Sequence, residues 1–193
     1  MRRVLHGEDP VRRLRLRLTV SAERGAEGER PLIRTADLAG PDALEVGAAV
    51  RAYLQQTEFE KSLQEPGPEP DAAAPLPERY VREVDDPAAA YAGHRVRVAQ
   101  LGGRVVGVVV LSPQGAVAEI KRLWAVPEVR GRGVGSALLD AALRDAEDLG
   151  ASAVRLSVWE WREGAVRLYG SRGFERVSSW DDRERLLCMV RPV

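Results

Sequence analysis

From residue 95 onward the chain alternates apolar and polar positions. In residues 95–101 valines alternate with polar side chains, Gly102-Gly103 supplies two positions that tolerate positive φ, and residues 104–111 are rich in valine. The pattern predicts a β-hairpin. After Ser112-Pro113-Gln114-Gly115 a third strand is expected over residues 116–126, giving three adjacent antiparallel strands. The period then changes. Over residues 136–149 Leu138, Leu139, Ala142, Ala146 and Leu149 fall on one helical face, and Gly150 stands at the left-handed stop position. Residues 153–158 return to a strand, and a strand, glycine-rich turn, helix, strand order places its two strands parallel. A shorter helix over residues 163–172, with Ala165 and Tyr169 one turn apart, ends at Gly173, and residues 174–177 and 186–190 close the chain as strands.

The first half is less regular. Residues 31–35 predict a short strand, and Asp42 is expected to cap a helix whose apolar positions are Leu44, Ala48 and Leu54. Prolines at 66, 68, 70, 75 and 77 make residues 65–77 a loop, since neither helix nor sheet interior tolerates them. In residues 1–30 Leu14, Leu16 and Leu18 alternate with arginines, the period of a half-exposed strand. We read residues 1–30 as an arm, free to fray or to pair with a sheet edge of a second copy in a homodimer, and residues 31–193 as one domain.

Composition narrows the class. Of the 193 residues 45% are hydrophobic and 30% charged, ordinary usage for a folded chain. The longest apolar run, seven residues from Val105 to Leu111, is far short of the roughly 20 that cross a bilayer, and no signal-peptide apolar region opens the chain. No membrane association is expected. Cys188 is the only cysteine, so intrachain disulfides and multi-thiolate zinc sites are excluded and a reducing cytoplasm fits best. His6, His94 and Cys188 are too scattered for a metal motif. With 29 basic and 29 acidic residues there is no global basic field to draw nucleic acid.

The segment that carries chemistry is residues 126–136, Val-Pro-Glu-Val-Arg-Gly-Arg-Gly-Val-Gly-Ser. Gly131, Gly133 and Gly135 let successive backbone N–H groups point into one hollow, and the first turn of the following helix leaves its own N–H groups free. That is an anion nest at a helix N-terminus, with Arg130 and Arg132 able to add guanidinium donors. A Walker loop is excluded because no lysine precedes Ser136. A dinucleotide fingerprint is excluded because Ser136 stands where its third glycine belongs.

Arg130, Gly133 and Gly135 fill the signature of the GNAT-type N-acetyltransferase superfamily, Gln or Arg, two residues, Gly, one residue, then Gly or Ala. The strand reading Glu119-Ile120-Lys121-Arg122-Leu123-Trp124-Ala125-Val126 before the loop and the later Ala165-Val166-Arg167-Leu168-Tyr169-Gly170-Ser171-Arg172-Gly173-Phe174 also resemble the family. The resemblance covers roughly residues 31–190 and implies an α/β (α+β) acetyltransferase fold, a mixed, mostly antiparallel sheet of six or seven strands flanked by helices. It implies that acetyl-CoA is the co-substrate, its pyrophosphate held by Arg130, Gly131, Arg132, Gly133, Val134, Gly135 and Ser136, its pantetheine arm lying along Trp124, Ala125 and Val126 where the sheet splays. Glu119 then takes the place of the general base and Tyr169 that of the thiol-protonating acid. A strand glutamate paired with an arginine, and a tyrosine that only packs, remain the alternatives for these two. The sequence departs from the family at Arg162, three residues before Ala165, where an asparagine is frequent.

The resulting expectation is an N-acetyltransferase that moves an acetyl group directly to a primary amine, on a small molecule or a peptide. A non-catalytic acyl-CoA-binding regulatory module is the other reading. Trp159, Trp161 and Trp180, with Asp181-Asp182, stand where aromatic faces and carboxylates would hold a cationic acceptor, or else pack as core and rim.

Overall fold

The computed structural model describes residues 30–64, 71 and 74–193. Residues 1–29 of the expected arm, with the pairing and dimer role assigned to it, and 65–70 and 72–73 of the proline-rich loop lie outside these.

Seven strands form one sheet. They are β1 (Leu32–Thr35), β2 (Arg95–Leu101), β3 (Arg104–Gln114), β4 (Val117–Ala125), β5 (Ala153–Trp159), β6 (Glu175–Val177) and β7 (Leu186–Pro192), in the order β1-β2-β3-β4-β5-β7-β6. Every neighbouring pair is antiparallel except β4 and β5. The helices are α1 (Asp42–Ser62), α2 (Val81–Asp85), α3 (Pro87–Ala90), α4 (Val134–Asp148) and α5 (Glu163–Gly170). The mixed, mostly antiparallel sheet flanked by helices expected from the sequence is the one observed, with α1 on one face of the sheet and α4 on the other.

Alternation along β3 explains why both faces are covered. Val108 and Val110 pack with Val46, Val50 and Leu54 of α1, whereas Val109 and Leu111 pack with Leu138, Leu139 and Ala142 of α4. Period two with apolar residues at both parities requires a layer on each side. Gly107 lets α4 come close. A Cβ there would stand 2.8 Å from the Trp124 carbonyl oxygen, 2.9 Å from Leu138 Cδ1 and 3.2 Å from Val134 Cγ1.

Several sequence expectations are corrected. Asp42 does not cap α1. Pro41 precedes the helix without a side-chain cap, and Asp42 is its first residue, buried, its carboxylate accepting from both Nη atoms of Arg34 and from the Asp37 N–H at 2.7 Å. That pair fixes the rotation of the helix, so the buried stripe follows from position 42 through Val46, Val50 and Leu54, and Leu44 is 86% exposed. In a segment rich in alanine and valine two overlapping stripes satisfy the 3.6-residue period, and the tertiary ion pair selects one. The β3–β4 turn is shorter than expected: Ser112, Pro113 and Gln114 pair with Glu119, Ala118 and Val117, leaving only Gly115 and Ala116 between the strands. Helix α4 begins two residues early, because Gly133 at φ 79° turns the chain into it, and Leu149 lies beyond its end, 38% exposed. Helix α5 ends at Gly170, two residues before the expected position, and a turn reaches Gly173.

Two irregularities open the sheet. In β4 the pairing jumps from Val110↔Lys121 to Val108↔Trp124, so Val109 faces both Arg122 and Leu123, a β-bulge in which Arg122 takes φ 54°. The extra residue exchanges the faces: Ala118 and Ile120 belong to the α4 core, and beyond the bulge Leu123 and Ala125 do, while Trp124 joins the α1 core. Meanwhile β4 and β5 pair only from Val117↔Ala153 to Glu119↔Arg155, although β5 stays paired with β7 along its whole length. Beyond Glu119 the two parallel strands part.

Candidate active site

The glycine loop is built from the end of β4, a 3-10 turn over Pro127–Val129 and the first turn of α4. Gly131 and Gly133 both hold positive φ, 75° and 79°, a conformation that costs other L-residues about 1–2 kcal/mol. The first donor satisfied within the helix is the Ala137 N–H on the Gly133 carbonyl. Among the described residues the N–H groups of Gly131 and Gly133 to Ser136 reach no backbone acceptor, so they converge on the mouth of α4 with the positive end of its dipole behind them. Gly131 and Gly133 to Ser136 line a cleft of about 790 Å³, together with Trp124 and Ala125 from the end of β4 and Gly164, Leu168 and Tyr169 from α5.

Of the residues assigned to the coenzyme from the sequence, Trp124, Ala125, Arg130, Gly131, Gly133, Val134, Gly135 and Ser136 line this cleft. Val126 and Arg132 do not. The Val126 N–H is engaged by the Val106 carbonyl at 3.0 Å, and Arg132 is exposed. Arg130 does not extend toward the loop amides: its guanidinium lies 4.5 Å over the Trp124 ring, donating from Nε to the Ala125 carbonyl and from Nη2 to Gln56 Oε1 of α1. It braces β4 against α1.

A second cavity, about 360 Å³, fills the gap where β4 and β5 separate. Ile120 and Leu156 to Val158 form its floor, and Tyr53, Glu58 and Tyr80 close it from the α1 side. Leu123, Arg162, Ala165 and Tyr169 line both spaces, so the cleft and the cavity meet at these four residues. Tyr169 is 7% exposed and packs edge-on against Phe174. Burial pushes its hydroxyl well above the usual phenol range, with the field of Tyr53 adding to the effect, so it is a protonated, neutral donor at neutral pH. Glu119 lines the cavity too. Its Oε2 accepts from Gln114 Nε2 at 2.9 Å and Arg155 Nη2 at 3.1 Å, while Oε1 has no partner among the described residues. The arginine pairing that the sequence left open for Glu119 is present, and one oxygen stays available.

Sequence reasoning missed the contribution of α1 and of the loop before α5. Glu60 accepts from Arg162 Nε at 2.7 Å and from Trp161 Nε1 at 3.2 Å, and Arg162 Nη2 donates to Thr57 Oγ1 at 2.8 Å. Burial alone would raise the Glu60 carboxyl, but the donors from Gln56, Arg162 and Trp161 outweigh it and hold it below its ordinary value. Partners about a hundred positions apart leave no local sequence signal. The bulge residue Arg122 likewise donates from Nε and Nη2 to Glu83 of α2, at 2.7 and 2.6 Å, under Tyr53 and Tyr80.

The tryptophan faces do not stand open for a cationic acceptor. Trp159 and Trp161 stack on each other 4.8 Å apart; Lys61 and Arg183 lie over Trp159, Arg185 over Trp161 and Arg155 over Trp180. Asp181 is bound on both oxygens by Arg183. The chain's own cations occupy these groups.

Solved acetyltransferases share this arrangement of strands and helices. An acetyltransferase of the GNAT family from Staphylococcus aureus superposes with TM-score 0.64 at 14% identity, covering 84% of this chain and 99% of that one. The PaiA N-acetyltransferase of Thermoplasma acidophilum, solved with coenzyme A, gives TM-score 0.61 at 16% identity over 86% of this chain and all of that one. Residues 55–174 match the model of the acetyltransferase (GNAT) family, and the chain belongs to that family. Among curated proteins, an N-acetyltransferase of Methanocaldococcus jannaschii is 33% identical over 93 residues, and the thialysine N-epsilon-acetyltransferase of Sus scrofa 34% over 64. These matches span 43% and 32% of this chain and 41% and 38% of those relatives, well under half their length.

Proposed function

We propose that the protein is an acetyl-CoA-dependent N-acetyltransferase acting by direct transfer to a primary amine. The observation that carries this reading is the junction: an amide-lined cleft fitted to a diphosphate and a separate cavity fitted to an acceptor meet at Tyr169. Coenzyme A in the Thermoplasma structure supports the ligand class. The residues present fit it, since the amides of Gly131 and of Gly133 to Ser136 reach no backbone acceptor and these residues line the cleft. Bound there, acetyl-CoA would supply an activated acyl thioester.

The residues of the chain do the rest. A primary amine with reference pKa near 10.4 is protonated at neutral pH and must lose a proton before it attacks. Glu119 Oε1, directly or through one ordered water, takes that proton, and Arg155 and Gln114 hold the carboxylate in place through Oε2. As the new N–C bond forms and the C–S bond breaks, the nitrogen releases its second proton to solvent, and the Tyr169 hydroxyl gives a proton to the departing sulfur and recovers one from solvent. Holding both substrates at one junction makes the encounter effectively unimolecular.

Thiol release from acetyl-CoA over an amine panel, alongside calorimetry of coenzyme binding, tests the reading. Tyr169→Phe and Glu119→Gln should each lower kcat by about 10²-fold, in the range for a lost acid or base, with coenzyme affinity kept within a few fold. Undiminished turnover in both variants removes them as acid and base. Tight coenzyme binding with no transfer to any amine would leave a binding module instead.

A further inference from the structure

The second cavity has a charge asymmetry that acetyl transfer to an arbitrary amine does not require. Its wall carries Lys61, Arg79, Lys121, Arg122, Arg162 and Arg183 against two carboxylates, Glu58 and Glu119. Two of the cations are neutralised from behind, Arg122 by Glu83 and Arg162 by Glu60, in half-buried pairs. Glu119 is matched to Arg155. There remain four cations, Lys61, Arg79, Lys121 and Arg183, against two carboxylates, Glu58 in the wall and Asp181, the partner of Arg183.

Those carboxylates are already shared or saturated. Glu58 accepts from Lys61 at 2.9 Å through one oxygen, and through the other meets the Tyr80 hydroxyl at 3.2 Å and Arg79 at 3.5 Å, the longest ion pair among the described residues. Asp181 is bound bidentately by Arg183 and is held down to about 2 by it, so it stays charged and committed. Lys121 has no ion pair among the described residues, although the charge of Glu83 acts on it indirectly. Aromatic faces collect these cations at one place: Lys61 and Arg183 stand 5.9 and 5.7 Å from the centre of the same Trp159 ring, Arg79 lies 4.6 Å over Tyr80, and Arg183 is near enough to Arg79 to repel its charge. Like charges crowded around too few carboxylates, in a concave site, make a local positive potential that a bound anion relieves.

We infer that the acceptor is a small amine that itself carries an anionic group, a carboxylate or a phosphate, seated against Lys61, Arg79 and Arg183 while its nitrogen reaches Glu119 and Tyr169. This rests on the acetyltransferase reading and names the substrate class of the same site. The guanidinium fork suits both anions, and a cavity of about 360 Å³ suits a small molecule. The same field disfavours an ammonium ion, so it lowers the proton affinity of the bound amine and repels polyamines.

The test compares amines matched except for charge: L-alanine with L-alaninamide, L-aspartate with L-asparagine, and phosphoethanolamine with ethanolamine, with spermidine as the cation. The more anionic member of at least one pair should show a kcat/KM tenfold or more above its partner, and which pair does so separates carboxylate from phosphate recognition. Arg79→Gln and Arg183→Gln should each reduce that ratio at least fivefold, which removes intrinsic amine reactivity as its cause. Calorimetry of the same pairs on the coenzyme-loaded protein reads the preference even where turnover is slow. Equal use of all partners, preference for spermidine, or a ratio unmoved in both variants overturns the inference while leaving acetyl transfer intact. Failure of the wild type to bind acetyl-CoA removes the underlying reading instead.

Discussion

Arg162 shows how a departure from a family pattern acquires a physical role. It lines both the cleft at the glycine loop and the cavity between β4 and β5, yet its guanidinium turns to α1, onto Glu60 and Thr57, and lies 5.2 Å from the Tyr53 ring. The residue therefore ties the loop before α5 to the last turns of α1 and fixes one wall of the junction. Arg162→Met leaves a half-buried Glu60 without its cation and is expected to cost about 2–3 kcal/mol of stability. Adding Glu60→Gln should recover part of that loss, and a double-mutant cycle in urea measures the coupling. The place of Tyr169 on α5 was legible in the sequence because its spacing from Ala165 and Gly173 is local. The role of Arg162 was not, because its partners come from residues 57 and 60.

At the scale of elements, β3 and α4 approach as closely as Gly107 allows. Gly107→Ala would place a methyl group against the Trp124 carbonyl at 2.8 Å, and backbone cannot swing aside as a side chain does. A loss of about 1–3 kcal/mol is expected, read as a lower Tm, the usual cost of overpacking. Because the other close atoms belong to Val134 and Leu138 in the first turns of α4, the same substitution should weaken acetyl-CoA binding in a titration. β2 and α4 were legible because each satisfies one period and is closed by a glycine, at 102 and 150, and β3, β4 and β5 because their apolar residues stand between turn residues that are local in the sequence. The start of α1 was not: its buried stripe depends on Arg34 reaching Asp42, a contact that no helical period encodes. The bulge at Arg122 was equally hidden, since a positive φ at arginine has no signature in the neighbouring residues.

For the whole molecule, acidic groups held below their ordinary values make stability depend on pH. Arg34 lowers Asp42, Arg183 lowers Asp181 to about 2, and Glu83 is held down because donation from Arg122 outweighs its burial. A depressed carboxyl contributes stability above its unfolded pKa, near 4, and loses it as pH falls through the folded value, so the window lies between about pH 5 and about pH 2. The urea midpoint should drop across that window. Asp42→Asn should lie lower at neutral pH and show a shallower slope, and an unchanged slope would remove Asp42 as a contributor; Asp181 contributes little because its partner Arg183 is exposed and water screens the pair. No helix among the described residues is long and apolar enough to cross a membrane. The single added residue at the β4 bulge has a last consequence. It lets one strand serve two oily layers in succession, so excising Arg122 would put the rest of β4 out of step, aiming the indole of Trp124 at α4 and the methyl of Ala125 at α1, and the cleft at the glycine loop would lose its wall with no loop residue touched.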